Sequence, residues 1–506
     1  MASYVISIDV GTQGTKAAML RDDGVFISEA FLPSRLIQPE PNVVEQDADE
    51  IVDSCIRTIR SVIDQSGVDS NNIVSLAMDG QMAGIVGIDQ SGLAITPYDS
   101  WLDQRCGAYW DYMRSLGEKK IISLTGCPIT YAHGPKILWW KHERPEIYRR
   151  IARFVQPAAY AAMRLCSMNA EEAFIDYTYL HFSGFADTHN RSWSEDLLHA
   201  AGIDPAKMPR IVKPVDIIGR ISAEMADATH LKAGTPVAAG CGDTSASIFG
   251  AGVTKPGVLV DVAGTASVFA CAVDKFVPDT ANKTLLFAPS VIDGLYTPMA
   301  YINGGGLCLK WYKDQILSAG SAAVTYDELE EEARTLPPGS ENLLFVPHFA
   351  GRVCPNDGNV RGSWLGLTLR HTRGHLYRSI LEGIGYEYHM YLDILKQSIP
   401  ELETKQILAV GGGAKSTLMR QIKSDILGIP MTTISRTDTG VLGTGIIAGY
   451  AVGLFDSLED TVEQFVRPIA QNHPDTNATQ SYGRFCTAYR DNFAALQPIY
   501  QNLLRG

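Results

Sequence analysis

Two short segments far apart in the chain follow one pattern, and this repeat restricts the possible fold more than any other feature. The first segment reads I-S-I-D-V-G-T-Q-G-T-K and ends at Lys16. The second reads V-L-V-D-V-A-G-T-A-S and ends at Ser267. In each, an apolar strand runs into Asp-Val and then into a Gly-Thr turn, with the carboxylates at Asp9 and Asp261. The repeat predicts two related halves, each of which contributes one such turn to a shared cleft.

The first turn has the composition of a site for a phosphate group and its metal ion. Glycine lets backbone N–H groups approach an anion closely, and the hydroxyl groups and Lys16 add further donors. The carboxylate of Asp9 could hold a cation or one of its water molecules. An ordinary hairpin explains the first segment equally well when it is considered alone, and the second copy favours the phosphate interpretation.

Length and charge limit the other possibilities. A chain of 506 residues predicts at least two domains, and the motifs place the boundary so that the domains span 1–247 and 248–506. A net charge of −13 argues against non-specific binding to nucleic acid or to an anionic membrane. Nine cysteines without any C-x-x-C pair predict reduced thiols and a cytoplasmic protein, and no signal peptide or membrane span is predicted.

Polar turns at the ends of apolar strands are candidate ligand contacts, because ligands of α/β folds lie at the carboxyl ends of strands. The strand 73–78 runs into D-G-Q-M-A-G, which makes Gln81 and Met82 candidates, although a plain glycine-flanked loop is about as probable. Later in the chain the run G-C-G-D-T contains Asp243 at the expected start of a helix. Taken by itself, Asp243 is better explained as a helix N-cap than as a general base.

The run S-W-L-D-Q-R is a candidate sugar contact. The aromatic face of Trp101 could stack on C–H groups, while Asp103 and Arg105 bind hydroxyl groups. A salt bridge between Asp103 and Arg105 is an equally good explanation.

The run G-G-G-A-K-S at 411–416 lies between a buried strand and a helix, an arrangement that binds anions and nucleotides. It matches neither the Walker nor the Rossmann glycine pattern. His371 and His375 are i, i+4 neighbours, but ordinary helix-entry histidines are a better interpretation than a metal site.

Five motifs in order resemble the FGGY carbohydrate kinases, which belong to the superfamily of sugar kinases, heat-shock chaperones and actin. The two Gly-Thr turns resemble the phosphate turns of the family, and A-V-G-G-G-A-K-S resembles its adenosine motif. The run from Gly362 to Glu382 fits the C-terminal signature, and Y-A-H-G-P-K-I-L-W is similar to the N-terminal signature except at His133. Within the family, G-Q-M-A-G, S-W-L-D-Q-R and G-C-G-D-T are most similar to xylulokinase motifs, but Ala83 and Thr244 depart from them.

The resemblance implies an α/β fold of two ribonuclease H-like domains around a hinged catalytic cleft, with ATP and Mg²⁺ as cofactors. It implies that Asp243 is the catalytic base and that Asp9 helps to place the metal. Implied sugar contacts are Gln81, Met82, Trp101, Asp103, Arg105 and Thr244. Implied nucleotide contacts are Gly11, Thr12, Gln13, Thr15, Lys16, Gly264, Thr265, Gly305, Gly412, Gly413, Ala414 and Lys415.

The leading hypothesis is therefore an ATP-dependent pentulose kinase acting on D-xylulose. Other acceptors remain open, namely ribulose, erythritol, gluconate or the autoinducer-2 precursor. A non-catalytic sugar-binding or actin-like protein is the alternative from another class, and the carboxylate at Asp243 argues against it. A sugar is the expected partner, and a homodimer is possible.

Overall fold

The computed structural model describes residues 2–317 and 324–503, and the elements fall into two halves. The strands of the N-terminal half are β1 (Tyr4–Val10), β2 (Gly14–Arg21), β3 (Phe26–Pro33), β4 (Glu45–Gln46), β5 (Ile73–Gly80), β6 (Val86–Ile88), β7 (Tyr98–Asp99), β8 (Arg153–Val155), β9 (Phe174–Asp176), β10 (Ala186–Asp187), β11 (Ser192–Trp193), β12 (Arg210–Val212), β13 (Ile217–Arg220) and β14 (Pro236–Gly242). Its helices are α1 (Ala48–Ser66), α2 (Tyr109–Ser115), α3 (Glu118–Thr125), α4 (His133–Glu143), α5 (Pro145–Arg150), α6 (Pro157–Cys166), α7 (Glu195–Ala200), α8 (Ala223–Thr229) and α9 (Asp243–Gly250).

The C-terminal half begins with a strand that follows α9. Its strands are β15 (Val258–Ala263), β16 (Ser267–Cys271), β17 (Leu286–Pro289), β18 (Tyr296–Ile302), β19 (Leu344–Val346), β20 (Ser363–Leu365), β21 (Gln406–Val410), β22 (Met431–Ile434) and β23 (Pro468–Asn472). Its helices are α10 (Gly305–Trp311), α11 (Tyr326–Arg334), α12 (Arg373–Ser398), α13 (Thr417–Leu427), α14 (Thr439–Ala451), α15 (Leu458–Phe465) and α16 (Thr476–Leu503).

Each half is built on one large mixed sheet, and the two sheets repeat one plan. The strand order is β13-β14-β5-β1-β2-β3 in the first sheet and β17-β18-β16-β15-β21-β22-β23 in the second. In both, the strand that carries the repeated Asp pairs antiparallel with the next strand and parallel with a later one, which is β5 for β1 and β21 for β15. This shared plan is ribonuclease H-like, and it confirms the repeat that the sequence predicted.

Local sequence explains where the elements begin and end, as α1 illustrates. The helix begins at Ala48, because the Asp47 side chain accepts hydrogen bonds from the backbone N–H groups of the first turn. It ends at Gly67, which adopts the left-handed conformation at φ 63°. The apolar residues at helical spacing are buried against the sheet, namely Ile51, Cys55, Ile59 and Val62.

Two helices of small residues connect the halves. A Cβ atom built on Gly250 of α9 would lie 2.0 Å from the backbone oxygen of Thr439, and one on Gly443 of α14 would lie 2.4 Å from the oxygen of Ala246. The backbones of the two helices therefore touch. Helix α14 also reaches the first sheet, where the Ser75 hydroxyl donates to the backbone oxygen of Ala448 at 2.6 Å. The proposed domain boundary at 247/248 falls inside α9 and stays a prediction.

The nine cysteines are all free, as expected, and eight of them are buried. Within residues 2–317 and 324–503, no helix is long and apolar enough to cross a membrane.

Candidate active site

The first Gly-Thr turn joins β1 to β2 and contacts the side chains that were expected to bind the sugar. The Thr12 hydroxyl donates to Gln81 Oε1 at 3.0 Å and accepts a hydrogen bond from Trp101 Nε1 at 2.8 Å. Gln81 in turn donates to Gln46 Oε1 at 2.8 Å. The indole of Trp101 remains 44% exposed, so one face is open for stacking. The expected phosphate turn and the expected sugar contacts therefore form one continuous surface.

Asp9 lies at the end of β1 beside this turn and has a carboxylate oxygen without a partner. Its Oδ1 atom is buried and accepts no hydrogen bond among the described residues. Burial raises the pKa of Asp9 to about 6, against the lowering effects of Asp79 and Lys16. A Cβ atom on Gly11 would lie 3.5 Å from this oxygen, so glycine keeps the space beside the carboxylate open. An orphaned carboxylate oxygen next to a glycine turn fits a hard divalent cation such as Mg²⁺.

Asp243 is the first residue of α9, and it does not cap the helix. The N-cap position belongs to Gly242, and the Asp243 carboxylate accepts instead from Thr244, at 2.5 Å from the backbone N–H and 3.1 Å from the hydroxyl. Burial and then the neighbouring Asp9 raise the pKa of Asp243 to about 7. The N-cap interpretation was therefore wrong, and the carboxylate is one that can exchange a proton near neutral pH.

Met82 packs on the residue before Asp243, and Thr244 follows it. A Cβ atom on Gly242 would lie 2.4 Å from the terminal methyl of Met82, so glycine leaves room for the methionine at this turn. Met82 itself is buried, and Ala83 after it has a left-handed backbone at φ 62°. Thr244 lies where it fixes the orientation of the Asp243 carboxylate.

Asp103 and Arg105 form a buried ion pair, so the salt-bridge interpretation describes them correctly. The Asp103 carboxylate is fully buried and accepts from the backbone N–H of Val44 and from Arg105. The second acidic partner of Arg105 is Glu45, at 2.6 Å. With its oxygens already bonded, Asp103 holds the loop that carries Trp101. Contact of Asp103 or Arg105 with a sugar hydroxyl stays a prediction.

The remaining residues of the first turn differ in accessibility. Gln13 is exposed, whereas the side chain of Thr15 is buried within β2. Lys16 lies opposite Asp9, and its ammonium group contacts Glu29 at 3.0 Å and Asp438 at 2.8 Å. Lys16 therefore connects the first sheet to the start of α14, and phosphate contact by this lysine stays a prediction.

The second Gly-Thr turn joins β15 to β16 and meets two other glycine segments. The backbone N–H of Gly306 donates to Gly264 at 3.0 Å, and that of Leu307 donates to Thr265 at 3.1 Å. This places Gly305 against Ser267, where a Cβ atom would lie 2.0 Å from the serine hydroxyl.

The adenosine motif forms a short 3-10 turn, Gly412–Lys415, that packs on the end of β15. A Cβ atom on Gly413 would lie 2.8 Å from the Cβ of Ala263. Ala414 is buried, while Gly412 and Lys415 face solvent. Gly264, Thr265, Gly305 and the 412–415 turn are thus one cluster in the C-terminal half.

Asp261 has surroundings unlike those of Asp9. Its carboxylate accepts from the Tyr388 hydroxyl at 2.8 Å and from Lys423 Nζ at 2.5 Å. Both Asp261 and Lys423 are buried, so the second turn contains an internal ion pair.

Three residues of this region were missed by sequence reasoning, namely Gln46, Asp79 and Lys423. Gln46 lies in the two-residue strand β4, which pairs with β7. A strand this short has no periodicity that could reveal it in the sequence. Asp79 was read only as part of a turn, although its position at the end of β5 could have been noticed. Lys423 lies on the buried face of α13, where a lysine among apolar residues is itself a signal of a buried partner.

The duplicated fold, with one glycine-threonine turn in each half and a raised-pKa carboxylate between them, defines the actin and sugar-kinase class of proteins. The N-terminal domain model of the FGGY family of carbohydrate kinases matches residues 4–250, and the C-terminal domain model matches residues 259–452. The chain therefore belongs to the FGGY family of carbohydrate kinases, which phosphorylate sugars.

Relatives of full length carry two different substrate names. A gluconokinase of Bacillus subtilis is 28% identical over 100% of this chain and 96% of its own length. A xylulose kinase of the same organism is 27% identical over 96% of both. The crystal structure of a xylulose kinase from Rhodospirillum rubrum superposes with a TM-score of 0.89 at 26% identity, covering 98% of this chain and 100% of that one. A gluconate kinase from Lactobacillus acidophilus has the same fold, with a TM-score of 0.91 at 24% identity over 99% of this chain and 100% of its own.

Proposed function

We propose that the chain transfers the γ-phosphoryl group of ATP to a primary hydroxyl of a pentulose, giving D-xylulose 5-phosphate from D-xylulose. The observation that carries the proposal is the Asp243 carboxylate, which has a pKa raised to about 7 by burial and by the neighbouring Asp9 and directly follows Gly242, on which Met82 packs. A carboxylate with that pKa is suited to accept the proton of a hydroxyl group as it attacks.

The other residues support this chemistry by position. Asp243 accepts the hydroxyl proton, and Thr244 keeps its carboxylate oriented. The Gly264–Thr265 turn supplies backbone N–H and hydroxyl donors for charge that develops on the transferred group. Asp9 is the proposed ligand of Mg²⁺, either directly or through water, and the ion when bound neutralises phosphate charge. The 412–415 turn is the proposed adenosine contact, and a homodimer stays a prediction.

The charges on the sugar side favour a neutral acceptor. Arg105 is already paired with Asp103 and Glu45, and the ammonium group of the buried Lys136 donates to the backbone oxygen of Asp103 at 2.8 Å. A carboxylate substrate would need a cation that is not committed elsewhere, whereas a ketose needs hydroxyl partners and the exposed face of Trp101. Gluconate is the second candidate acceptor, because the gluconokinase relative covers the whole chain at a similar identity.

The acceptor is tested by coupled ADP release with Mg²⁺·ATP and a panel of D-xylulose, L- and D-ribulose, erythritol, gluconate and the autoinducer-2 precursor. We expect the highest kcat/KM with D-xylulose. A higher value with gluconate would replace the proposed acceptor with the second candidate. Turnover of none of them above background ATP hydrolysis would contradict the proposed acceptor class.

The catalytic role is tested with Asp243→Asn, which keeps the shape of the side chain and removes its basicity. We expect kcat to fall by about 10²–10⁴-fold, the usual contribution of general acid–base catalysis, with the KM for ATP within about threefold of wild type. The matched control is Asp279→Asn, because Asp279 is a buried carboxylate in a loop of the C-terminal half. Retention of more than about a hundredth of the wild-type kcat by Asp243→Asn would rule out the general-base role.

A further inference from the structure

A second carboxylate lies beside Asp9. Asp79 ends the strand β5 and is the register partner of Asp9 across the parallel pair β1–β5. Register partners on neighbouring strands project from the same face of a sheet, so the two carboxylates extend side by side toward the cleft end of the sheet. Asp243 begins the helix that follows the next strand; its charge raises the pKa of Asp79, and the charge of Asp9 raises the pKa of Asp243.

The Asp79 carboxylate is fully buried and only half satisfied. Its Oδ2 atom accepts from the Thr444 hydroxyl of α14 at 2.5 Å, while its Oδ1 atom has no partner among the described residues. The neighbouring Asp9 also has a buried Oδ1 atom without a partner. Burial, and then the charge of Asp9, hold the pKa of Asp79 well above its usual range. Two adjacent carboxylate oxygens in a buried place are costly unless they share a proton, as the hydrogen bond between Asp9 and Asp79 allows, or a cation lies between them.

The protein supplies little positive charge to this pair in the part of the chain that the structure describes. Lys16 lies across from Asp9, but its ammonium group is shared with Glu29 and Asp438. The buried Lys423 is committed to Asp261 in the other half. No group of three or more His, Cys, Asp and Glu side chains in residues 2–317 and 324–503 is arranged to enclose a metal, so any ion here would keep water or substrate oxygens as further ligands.

We propose that Asp79 and Asp9 together bind the divalent cation, with Asp79 as the second protein carboxylate of the site. Carboxylate oxygens are the ligands that Mg²⁺ and Mn²⁺ prefer, and two of them at adjacent strand ends leave the remaining positions for water and phosphate. Because Thr444 holds Asp79 from α14, the cation site is also attached to the helix that connects the halves. The inference deepens the proposed function by assigning a further residue to its metal site.

The test measures binding of Mn²⁺ alone to the full-length protein, without nucleotide or sugar, from the EPR signal of free Mn²⁺. We expect one site in the wild type and at least tenfold weaker binding in both Asp79→Asn and Asp9→Asn. The matched control is Asp279→Asn, whose carboxylate is also buried but is fully occupied by backbone N–H groups, and it should bind Mn²⁺ as the wild type does.

Melting temperatures provide a second measurement on the same variants. Without metal, Asp79→Asn should melt at or above the wild-type temperature because one like charge is removed, and added Mn²⁺ should raise the melting temperature of the wild type more than that of the variant. Equal Mn²⁺ affinity in Asp79→Asn and wild type would overturn the proposal, as would the lack of a Mn²⁺ site in the wild type. Asp79→Ser provides a smaller replacement if the asparagine variant does not fold. A failed sugar panel would leave these results unchanged, since neither ATP nor sugar is present.

Discussion

The turns after β1 and after β15 hold equivalent places in the two sheets, yet their carboxylates have opposite surroundings. Asp9 has a buried oxygen without a partner and two further carboxylates nearby, Asp79 and Asp243. Asp261 is bonded to Lys423 and to the Tyr388 hydroxyl. One repeat therefore carries uncompensated negative charge at the cleft, and the other is neutral within its own half.

The difference indicates which turn acts in chemistry and which one supports it. A buried carboxylate needs a partner, and Asp261 has a permanent one. Asp9 has Asp79 and the charge of Lys16 nearby instead, and a cation as its further partner stays a proposal. In the proposed function the second turn contributes backbone N–H groups and Thr265, while Asp261 is held in an ion pair with Lys423.

The largest expected effect comes from replacing Asp261 or Asp9, each in its own variant, with asparagine. Asp261→Asn leaves the Lys423 charge buried and unpaired, so we expect the free energy of unfolding to fall by about 3–5 kcal/mol. Asp9→Asn should lower kcat strongly without loss of stability, because it removes one of several like charges. Urea denaturation and kcat are measured on both variants.

The double variant Asp261→Leu/Lys423→Leu is the control for the ion pair, since replacing both partners removes the unpaired charge. It should be more stable than Asp261→Asn. If the Asp261→Asn variant were as stable as the wild type but poorly active, the two turns would behave alike. The contrast between Asp9 and Asp261 would then be wrong.

A smaller effect is expected from a change of pH. It reports on the N-terminal half, because Asp9 and Asp243, whose pKa values are raised, both lie there. The pKa values of Asp243 and Asp9 are raised to about 7 and about 6 in the folded protein, so folding binds protons between about pH 4 and pH 7. Stability without metal should therefore decrease as pH rises through this range, and Asp243→Asn should flatten the decrease. Activity should change in the opposite direction, because the base must be deprotonated.

Melting temperatures from pH 5 to pH 8 and kcat/KM over the same range measure these two trends. We expect kcat/KM to rise about tenfold per pH unit below pH 7 and then to level off. A flat profile through pH 7 would contradict the assignment of Asp243 as the base.

The smallest effect concerns the backbone after the parallel strands β5 and β21. Ala83 and Gly411 both have positive φ, at 62° and 86°. Ala83→Gly should change the free energy of unfolding by less than about 1 kcal/mol, because relief of the left-handed alanine is offset by the flexibility of glycine. Gly411→Ala should cost more, since its Cβ atom would also lie 2.7 Å from the backbone oxygen of Ala263. Urea denaturation compares them, and equal stabilities would mean that the crowding at Gly411 is relieved at no cost.

Much of the fold was predictable because it depends on short-range patterns. The strand β5 was expected over 73–78 and spans Ile73–Gly80, since a short apolar run that ends in polar turn residues is a local signal. The repeat around Asp9 and Asp261 was visible for the same reason. The N-cap interpretation of Asp243 was wrong, because a carboxylate at a helix start has the same local sequence whether it caps the helix or faces a cleft.

The sequence by itself determined the two-half architecture, the two glycine-threonine turns and the identity of the acidic residues near them. Only the tertiary structure decided how those acids are partnered: Asp261 with Lys423, Asp103 with Arg105, and Asp79 with Thr444, with Asp9 as its register neighbour. The physical reason is that charge compensation acts over a few ångströms in space, between residues that are remote in the chain. Strand and helix patterns are local and can be read from consecutive residues, whereas the pKa of a carboxylate depends on everything that packs around it.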